Sequence, residues 1–306
     1  MMSRKMLRNV NRNGYGWRLA AAVLALTAAA LHGCSSSDTL VPAIPTATQF
    51  SGTDANVAAT MTSFRSAIGG VNNGGVAAPQ GSGRREINWD GITMAQSDFN
   101  STGALINANT LVIAAGRFGT RGIVLVEGDP GSAGVPGNPN TFVFTAVSDN
   151  GFASANPSTA GRFLAFSPTK TFAPLNSNVT EVRFVNPTPT GTSAVSAGTS
   201  AFGAVFLDVN QPGTSIEAFN GFRSLGRFAV PTSGAGGTSF LGIQYSSNVI
   251  TSVKLTTGTA VLATWTGNPR VLSSGPSDTA ATDQVAMDDF IYAEPGPAVI
   301  LAGSTF

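Results

Sequence analysis

Residues 179–185, VTEVRFV, decide the fold class of this chain. In an extended chain successive side chains point to opposite faces. Glu181 and Arg183 therefore share one face, while Val182 and Phe184 alternate with them on the other. This is the pattern of a half-buried β-strand, with one face toward a core and one toward water.

About eleven short runs of β-branched or aromatic residues like this one occur in the chain, and residues 161–168, GRFLAFSP, are among them. Turn residues such as Asp-Asn-Gly and Asn-Pro separate the runs, and no helical pattern intervenes. The sequence therefore predicts an all-β fold, an antiparallel two-sheet sandwich of the jelly-roll kind.

One short N-terminal helix is predicted over residues 54–68, DANVAATMTSFRSAI. Val57, Met61, Phe64 and Ile68 recur at spacings of four, three and four, which places them on one helix face. The two glycines that follow supply a stop for the helix.

The N-terminus has the features of an export signal. Five basic residues precede residues 19–31, LAAAVLALTAAAL, an uncharged segment too short to span a bilayer, which needs about 20 residues. Residues 31–34, LHGC, resemble the lipobox of bacterial lipoproteins, although His32 replaces the usual small residue. The resemblance implies that Cys34 carries a lipid and anchors the chain to a membrane. The alternative is ordinary cleavage after Ala30.

These features divide the chain into four segments. Residues 1–33 are predicted as a lipoprotein-type signal peptide, residues 34–52 as a flexible polar tether, residues 53–296 as one β-sandwich domain and residues 297–306 as a C-terminal tail. No Asp follows the Cys to indicate retention at the inner membrane. The prediction is an exported protein, either an outer-membrane lipoprotein or extracellular.

Charge and composition exclude several functions. The chain carries 17 basic and 16 acidic residues; without the five basic residues of the leader, 12 basic and 16 acidic residues remain, a net charge of −4. A weakly acidic chain gives no electrostatic reason to expect nucleic-acid binding. The single His and single Cys, His32 and Cys34, lie at the predicted cleavage site. The domain therefore lacks Ser-His-Asp and Cys-His pairs and zinc, iron or copper sites built on His or Cys.

The order of several landmarks is similar to that in a group of uncharacterised secreted bacterial proteins. These landmarks include FRSAIGGVNNGG, GRREINWDG, FSPTKTFAPLNSNVTEVRFVNP, AFGAVFLDV and VAMDDFIYAEP, and the match spans residues 60–295. The second half also resembles jelly-roll domains of secreted proteins that carry PEP-CTERM sorting tails, although this chain has no such tail. The resemblance implies a fold and a secreted location, and no reaction.

Residues 83–91, GRREINWDG, hold the densest charge in the chain. One interpretation is a sugar-binding platform, in which Trp89 stacks on a pyranose face. The favoured interpretation is a strand entering the sandwich. Ile87 and Trp89 then face the core together, because residues two apart share a face, and Arg84 or Arg85 pairs with a neighbouring carboxylate.

Residues 285–294, VAMDDFIYAE, are the second candidate. Strict alternation puts Asp289 on the face of Met287, and Asp288 on the face of Phe290 and Tyr292. Either way an Asp lies among apolar side chains, and a buried carboxylate must be paired, hydrogen-bonded or bound to a metal.

The last strand of a jelly roll commonly lies near the first, which would bring the two candidates together. The favoured prediction is a structural clasp in which Arg84 or Arg85 pairs with Asp288 or Asp289, or in which the Asp accepts hydrogen bonds from backbone N–H groups. The alternative is a calcium site, since oxygen-only clusters suit calcium. Its ligands would be Glu86, Asp90, Asp288 and Asp289.

The predicted function is a surface-anchored, non-catalytic binding or structural module of the bacterial envelope, and no cofactor other than calcium is expected. Its partners would be the membrane and an extracellular glycan, the latter by fold analogy alone. One alternative is a structural or adhesive surface protein without a small ligand. Another is a glycosidase or lyase that uses two carboxylates.

Overall fold

A computed structural model of the chain divides into two compact units, residues 1–40 and residues 41–306. The structure describes residues 43–94, 103–107, 109–114, 116–126, 144–190, 196–267 and 270–305. The predicted signal peptide, Cys34 and residues 35–42 of the predicted tether lie outside the described residues. In the described part no helix is long and apolar enough to cross a membrane.

The described part of residues 41–306 consists of strands, one α-helix and three short 3-10 helices. The strands are β1 (Thr48–Thr53), β2 (Arg84–Ile87), β3 (Gly103–Asn107), β4 (Thr110–Ile113), β5 (Ile123–Val126), β6 (Phe144–Ser148), β7 (Thr171–Leu175), β8 (Val179–Phe184), β9 (Ala201–Leu207), β10 (Ser215–Asn220), β11 (Arg223–Ala229), β12 (Thr238–Gln244), β13 (Ser252–Thr256), β14 (Ala263–Gly267), β15 (Arg270–Ser274) and β16 (Ala286–Ala293). The helix is α1 (Val57–Ile68), and the 3-10 helices are Asp54–Asn56, Gly119–Arg121 and Pro157–Thr159.

Two antiparallel sheets form the sandwich. The nine-stranded sheet has the order β1-β12-β9-β16-β7-β6-β4-β3, and β2 pairs with β16 beside this row. The second sheet has the order β11-β10-β13-β8-β5, and β14 and β15 form a separate hairpin. The prediction of an all-β antiparallel sandwich with one short N-terminal helix is therefore confirmed.

The main core lies between the two sheets. Phe184 of β8 contacts Phe202 of β9 and Tyr292 of β16, with ring centroids 6.2 and 5.7 Å apart. All three side chains are buried. The alternation in VTEVRFV is thus realised, since Val182 and Phe184 belong to this core and Arg183 on the opposite face is exposed.

A second apolar cluster covers the outer face of the nine-stranded sheet, where α1 packs against it. The Phe64 ring of α1 rests over Gly203 of β9 and Gly242 of β12, which lie directly opposite each other. A Cβ on Gly242 would lie 2.8 Å from this ring, and one on Gly203 would lie 3.0 Å from it. The absence of side chains at these two glycines therefore leaves the space on the sheet that the Phe64 ring of α1 fills.

The structure corrects three sequence predictions about the fold. β1 begins at Thr48, inside the segment predicted as tether, because its backbone pairs with β12 from Thr48 to Thr53. The predicted tail is packed in place: Leu301 N donates to Asn220 Oδ1. Residues 161–168, predicted as a strand, form turns and irregular structure, with Leu164 exposed to solvent.

Candidate functional site

The two candidate motifs lie on neighbouring antiparallel strands, β2 and β16. Arg85 lies opposite Tyr292, and Ile87 lies opposite Phe290. The expectation that these motifs meet is therefore confirmed, and β2 lies along the edge of β16 that faces away from β9.

A buried ion pair between Arg85 and Glu294 holds this junction. Arg85 Nε and Nη2 donate to the two carboxylate oxygens of Glu294, both at 2.7 Å. The Arg85 side chain is 0% exposed and that of Glu294 is 4% exposed. Glu294 also accepts hydrogen bonds from Asn73 Nδ2 and from the backbone N–H of Gln80. The guanidinium is thus bidentate, the strongest geometry for such a pair.

Four backbone carbonyls complete the environment of the Arg85 guanidinium. Its Nη atoms donate to the carbonyl oxygens of Gly74, Val76, Ala78 and Thr120, at 2.8–3.3 Å. Arg85 thereby ties the loop before β2 and the turn before β5 to the end of β16. The role is structural, because the charged groups are enclosed by protein and fully hydrogen-bonded.

The prediction that Arg84 or Arg85 pairs with Asp288 or Asp289 is wrong. The register places the two aspartates three to four residues beyond Arg85 along the strand pair, which is about 10–13 Å at 3.3 Å per residue. Glu294 instead follows Tyr292 by two residues and therefore shares the face of Arg85. Glu294 is the last residue of the VAMDDFIYAE motif, and no sequence pattern there predicted its pairing with Arg85.

Glu86 is paired with two arginines rather than left free. Arg65 of α1 donates to both of its oxygens at 3.1 and 2.8 Å, and Arg84 Nε donates at 2.7 Å. Burial raises the pKa of Glu86, but hydrogen bonds and charge from Arg65 and Arg84 outweigh it, so the pKa is lowered overall. Glu86 is therefore a carboxylate that fixes the helix to β2.

Trp89 is a core residue, and its predicted role as a sugar platform is corrected. It is 1% exposed and stacks on Phe172 at 4.0 Å with an interplanar angle of 9°. Its Nε1 donates to the backbone oxygen of Asp288 at 3.0 Å. The favoured interpretation, in which Ile87 and Trp89 face the core, is confirmed by their burial. A ring enclosed on both faces has no surface for a pyranose.

Asp288 and Asp289 occupy a β-bulge. Met287 lies opposite Phe206 of β9, but Phe290 lies opposite Ala204, so β16 has one residue more than its partner between these pairs. The bulge shifts the alternation, and Met287, Phe290 and Tyr292 all face the main core. The predicted strict alternation is therefore wrong beyond Met287, as is common where a bulge redirects a side chain.

Asp288 binds the loop that follows residue 161. Its Oδ2 accepts from the backbone N–H groups of Phe166 and Ser167 at 2.6 and 3.1 Å, and its Oδ1 accepts from Ser167 Oγ at 3.0 Å. This is the alternative form of the predicted clasp, with backbone donors in place of an arginine. It also explains why residues 161–168 are a loop, since two of their amides serve a carboxylate instead of a strand.

The two adjacent aspartates interact with each other. Burial, followed by the charge of Asp289, raises the pKa of Asp288 to about 8. Burial also raises the pKa of Asp289, although hydrogen bonds from Ser167 and Asp288 oppose that shift. Burial and the neighbouring charge thus both disfavour ionisation of the two carboxyl groups at the same time.

The four carboxylates predicted to bind calcium are not arranged as one cluster. Asp90 accepts from the backbone N–H of Lys170 at 3.1 Å, and Lys170 Nζ donates to the Asp90 carbonyl oxygen. Within the described ranges no group of three or more His, Cys, Asp or Glu residues is arranged to hold a metal ion. Calcium binding stays a prediction.

A second charged cluster lies at the opposite end of the sandwich from the Arg85 pair. Arg162 Nη1 lies 3.1 Å from Asp208 and 2.8 Å from Asp278. Asp283, just before β16, accepts from the backbone N–H of Asn210 at 3.1 Å. Burial, a hydrogen bond with Asp208 and neighbouring charge raise the pKa of Asp278 to about 7.

Sequence reasoning missed this cluster. Asp208 follows β9 and Asp283 precedes β16, and these two strands are antiparallel neighbours. The positions of both aspartates at strand ends could have predicted that they lie close together. No pattern predicted the position of Arg162, because residues 161–168 were assigned to a strand.

Comparisons of the chain with protein-family models, curated proteins and solved structures gave no match.

Proposed function

We propose that this chain is an exported, lipid-anchored module of the bacterial envelope that binds or organises material there and does not catalyse a reaction. Export and anchoring are supported by the basic leader, the apolar segment and the LHGC sequence. The domain follows the proposed anchor closely, since Ala47 already packs against the main core and β1 begins at Thr48.

The observation that carries the non-catalytic part is the Arg85–Glu294 pair, which encloses one arginine of the GRREINWDG motif inside the protein. A reacting group must reach its substrate, whereas these two groups contact each other, Asn73 and surrounding backbone groups.

The geometry of the Asp288–Asp289 pair also supports this proposal. Glycoside hydrolysis needs two carboxyl groups about 5–9.5 Å apart, on either side of the bond that breaks. Asp288 is instead buried, and its two oxygens accept hydrogen bonds from Phe166 and Ser167. It is arranged to hold the loop at Ser167 rather than to flank a sugar ring.

An extracellular glycan is the ligand class proposed by fold analogy. Trp89 plays no part in it, so binding would depend on other side chains, and Phe166 is an exposed aromatic residue. A glycan array probed with the purified mature protein tests this class. Binding that survives Trp89→Phe but falls with Phe166→Ala would support it, and an array without signal would exclude the glycans tested.

A structural or adhesive role is the second candidate, and β1 favours it. β1 stands at the end of the nine-stranded row, and its sequence TQFSGT contains neither a charge nor a proline. Charged residues and prolines usually protect an edge strand against pairing with another chain, and β1 has neither. β1 therefore offers backbone groups for assembly.

The anchor is tested by Cys34→Ala in the full chain. We expect the variant to leave the membrane fraction and the wild-type protein to remain there. The intact mass of the native N-terminus provides an independent check. An unmodified mature chain that starts at Leu31 would refute the anchor.

A further inference from the structure

One end of the sandwich, here called the tether end, is where β1 begins and the chain leads back toward Cys34. The antiparallel pairing puts the ends of β12 and β16 and the start of β9 at this end, since Thr48 lies opposite Gln244 and Phe202 opposite Tyr292. The second sheet is aligned with the first, because Phe184 at the end of β8 contacts both Phe202 and Tyr292.

The tether end carries most of the exposed large apolar side chains of the described residues. Of the eight that are exposed, six belong to this end: Ile44, Val71, Val76, Phe222, Val299 and Ile300. Phe222 forms the turn between β10 and β11 and is 74% exposed. Its N–H donates to the carbonyl oxygen of Thr305, so the segment with Val299 and Ile300 runs beside it.

The loop with Val71 and Val76 belongs to the same end. The Val71 carbonyl oxygen accepts from the N–H of Arg84 at the start of β2, and the Val76 carbonyl oxygen accepts from Arg85. Both arginines lie beside the end of β16. Exposed apolar side chains that are scattered singly need no explanation, but a concentration at one end marks an interaction surface.

The opposite end differs in its exposed side chains. Of the four acidic residues there, Asp54 is exposed, whereas the side chains of Asp208, Asp278 and Asp283 are buried and Arg162 pairs with two of them. The sandwich is thus polarised in its exposed apolar side chains, which lie mainly at the tether end. An apolar end of this kind fits the interfacial layer of a bilayer.

The chain between the proposed anchor and the domain is short. Eight residues lie between Cys34 and Ala43, the first described residue, and the nine steps from one Cα to the next span at most about 30 Å when fully extended. We propose that the tether end rests on the bilayer that holds the lipid of Cys34, with Phe222, Val299 and Ile300 in its interfacial layer. This inference rests on the proposed lipid anchor. The lipid supplies the attachment, and the apolar end sets the orientation of the sandwich.

The test uses the full, lipidated chain in vesicles of phosphatidylethanolamine and phosphatidylglycerol with brominated acyl chains, which quench tryptophan. Phe222→Trp reports on the tether end. Phe166→Trp is the matched control, because Phe166 is also exposed, at 37%, but lies in the loop bound by Asp288. After subtraction of the wild-type signal, we expect several-fold stronger quenching of the tryptophan at 222 than of the one at 166.

The outcomes separate this inference from the anchor itself. If the wild-type protein does not float with vesicles, both the anchor and the inference fail. If it floats but the two reporters are quenched equally or not at all, the anchor stands and the orientation is wrong. A blue-shifted emission at 222 without bromine quenching would mean that protein, such as a second copy of the chain, covers this end, and would also overturn the inference.

Discussion

Removal of the Glu294 carboxylate should destabilise the protein severely. In Glu294→Ala the Arg85 guanidinium, which is 0% exposed, keeps four carbonyl acceptors but loses its only charged partner among the described residues. Breaking one side of a buried pair costs about 3–5 kcal/mol. Asn73 Nδ2 and the Gln80 N–H lose the same acceptor, which moves the expected cost toward the upper part of that range.

This loss is a large share of the 5–15 kcal/mol that typically stabilises a domain. The assay is urea unfolding of the full chain, followed by tryptophan fluorescence. Glu181→Ala is the matched control, because the Glu181 side chain is also nearly buried, at 10% exposed, but its partner Arg183 at 2.8 Å is 58% exposed. Removal of this carboxylate leaves an arginine that water can solvate, so the cost should be smaller than in Glu294→Ala.

A double-mutant cycle completes the test. Arg85→Ala and Glu294→Ala together should cost far less than the sum of the two single changes, whereas Arg85→Ala and Asp288→Ala should be nearly additive. The reasoning is refuted if Glu294→Ala is no more costly than Glu181→Ala, or if Arg85 couples to Asp288 instead.

Three further predictions concern pH, packing and calcium. The folded-state pKa of Asp288 is raised to about 8 from an ordinary value of 3.8, so its contribution to stability is full below pH 4 and is lost as the pH rises through 8, by about 1.4 kcal/mol per pH unit in between. Asp289→Asn removes the neighbouring charge and offers an amide donor, so its stability relative to wild type should increase from pH 5 to pH 8; parallel pH profiles would contradict the influence of Asp289 on Asp288. Gly242→Ala should cost about 1–3 kcal/mol, because its Cβ meets the Phe64 ring, while Gly91→Ala, with no atom within 4 Å, should be close to neutral in the same thermal melts. Calcium binding by the carboxylates predicted from the sequence requires a higher melting temperature in millimolar calcium than in excess chelator, and identical curves would exclude it.

Local periodicity determined the class of the fold. The two-residue period of VTEVRFV requires only that the chain be extended with one face buried, and the helix of residues 57–68 requires only that Val57, Met61 and Phe64 share a face. Both patterns depend on neighbours in the sequence, so they could be predicted without knowledge of the sheet order. The burial of Trp89 was predicted from the same parity with Ile87, although Trp89 lies beyond the end of β2 with a φ of 65°.

The partners of the charged residues depended on tertiary structure. The sequence brought GRREINWDG and VAMDDFIYAE together but could not supply their register, and the register determines that Arg85 meets Glu294. A bulge changes which face each later residue occupies, and no local sequence pattern predicts the bulge at Asp288 and Asp289. The loop at Phe166 and Ser167 is a loop because a carboxylate 122 and 121 residues away accepts its amides.

The sequence by itself therefore determined which segments are strands or helix and which face of each is buried, because these properties depend on spacing along the chain. Only the tertiary structure decided which charges come together and which end of the sandwich carries most of the exposed apolar side chains. Those properties depend on residues such as Asp208 and Asp283, or Ile44 and Ile300, which are distant in sequence and share an end only because of the strand order. The physical reason is that an ion pair requires two groups within about 4 Å, a condition that the strand order and register set.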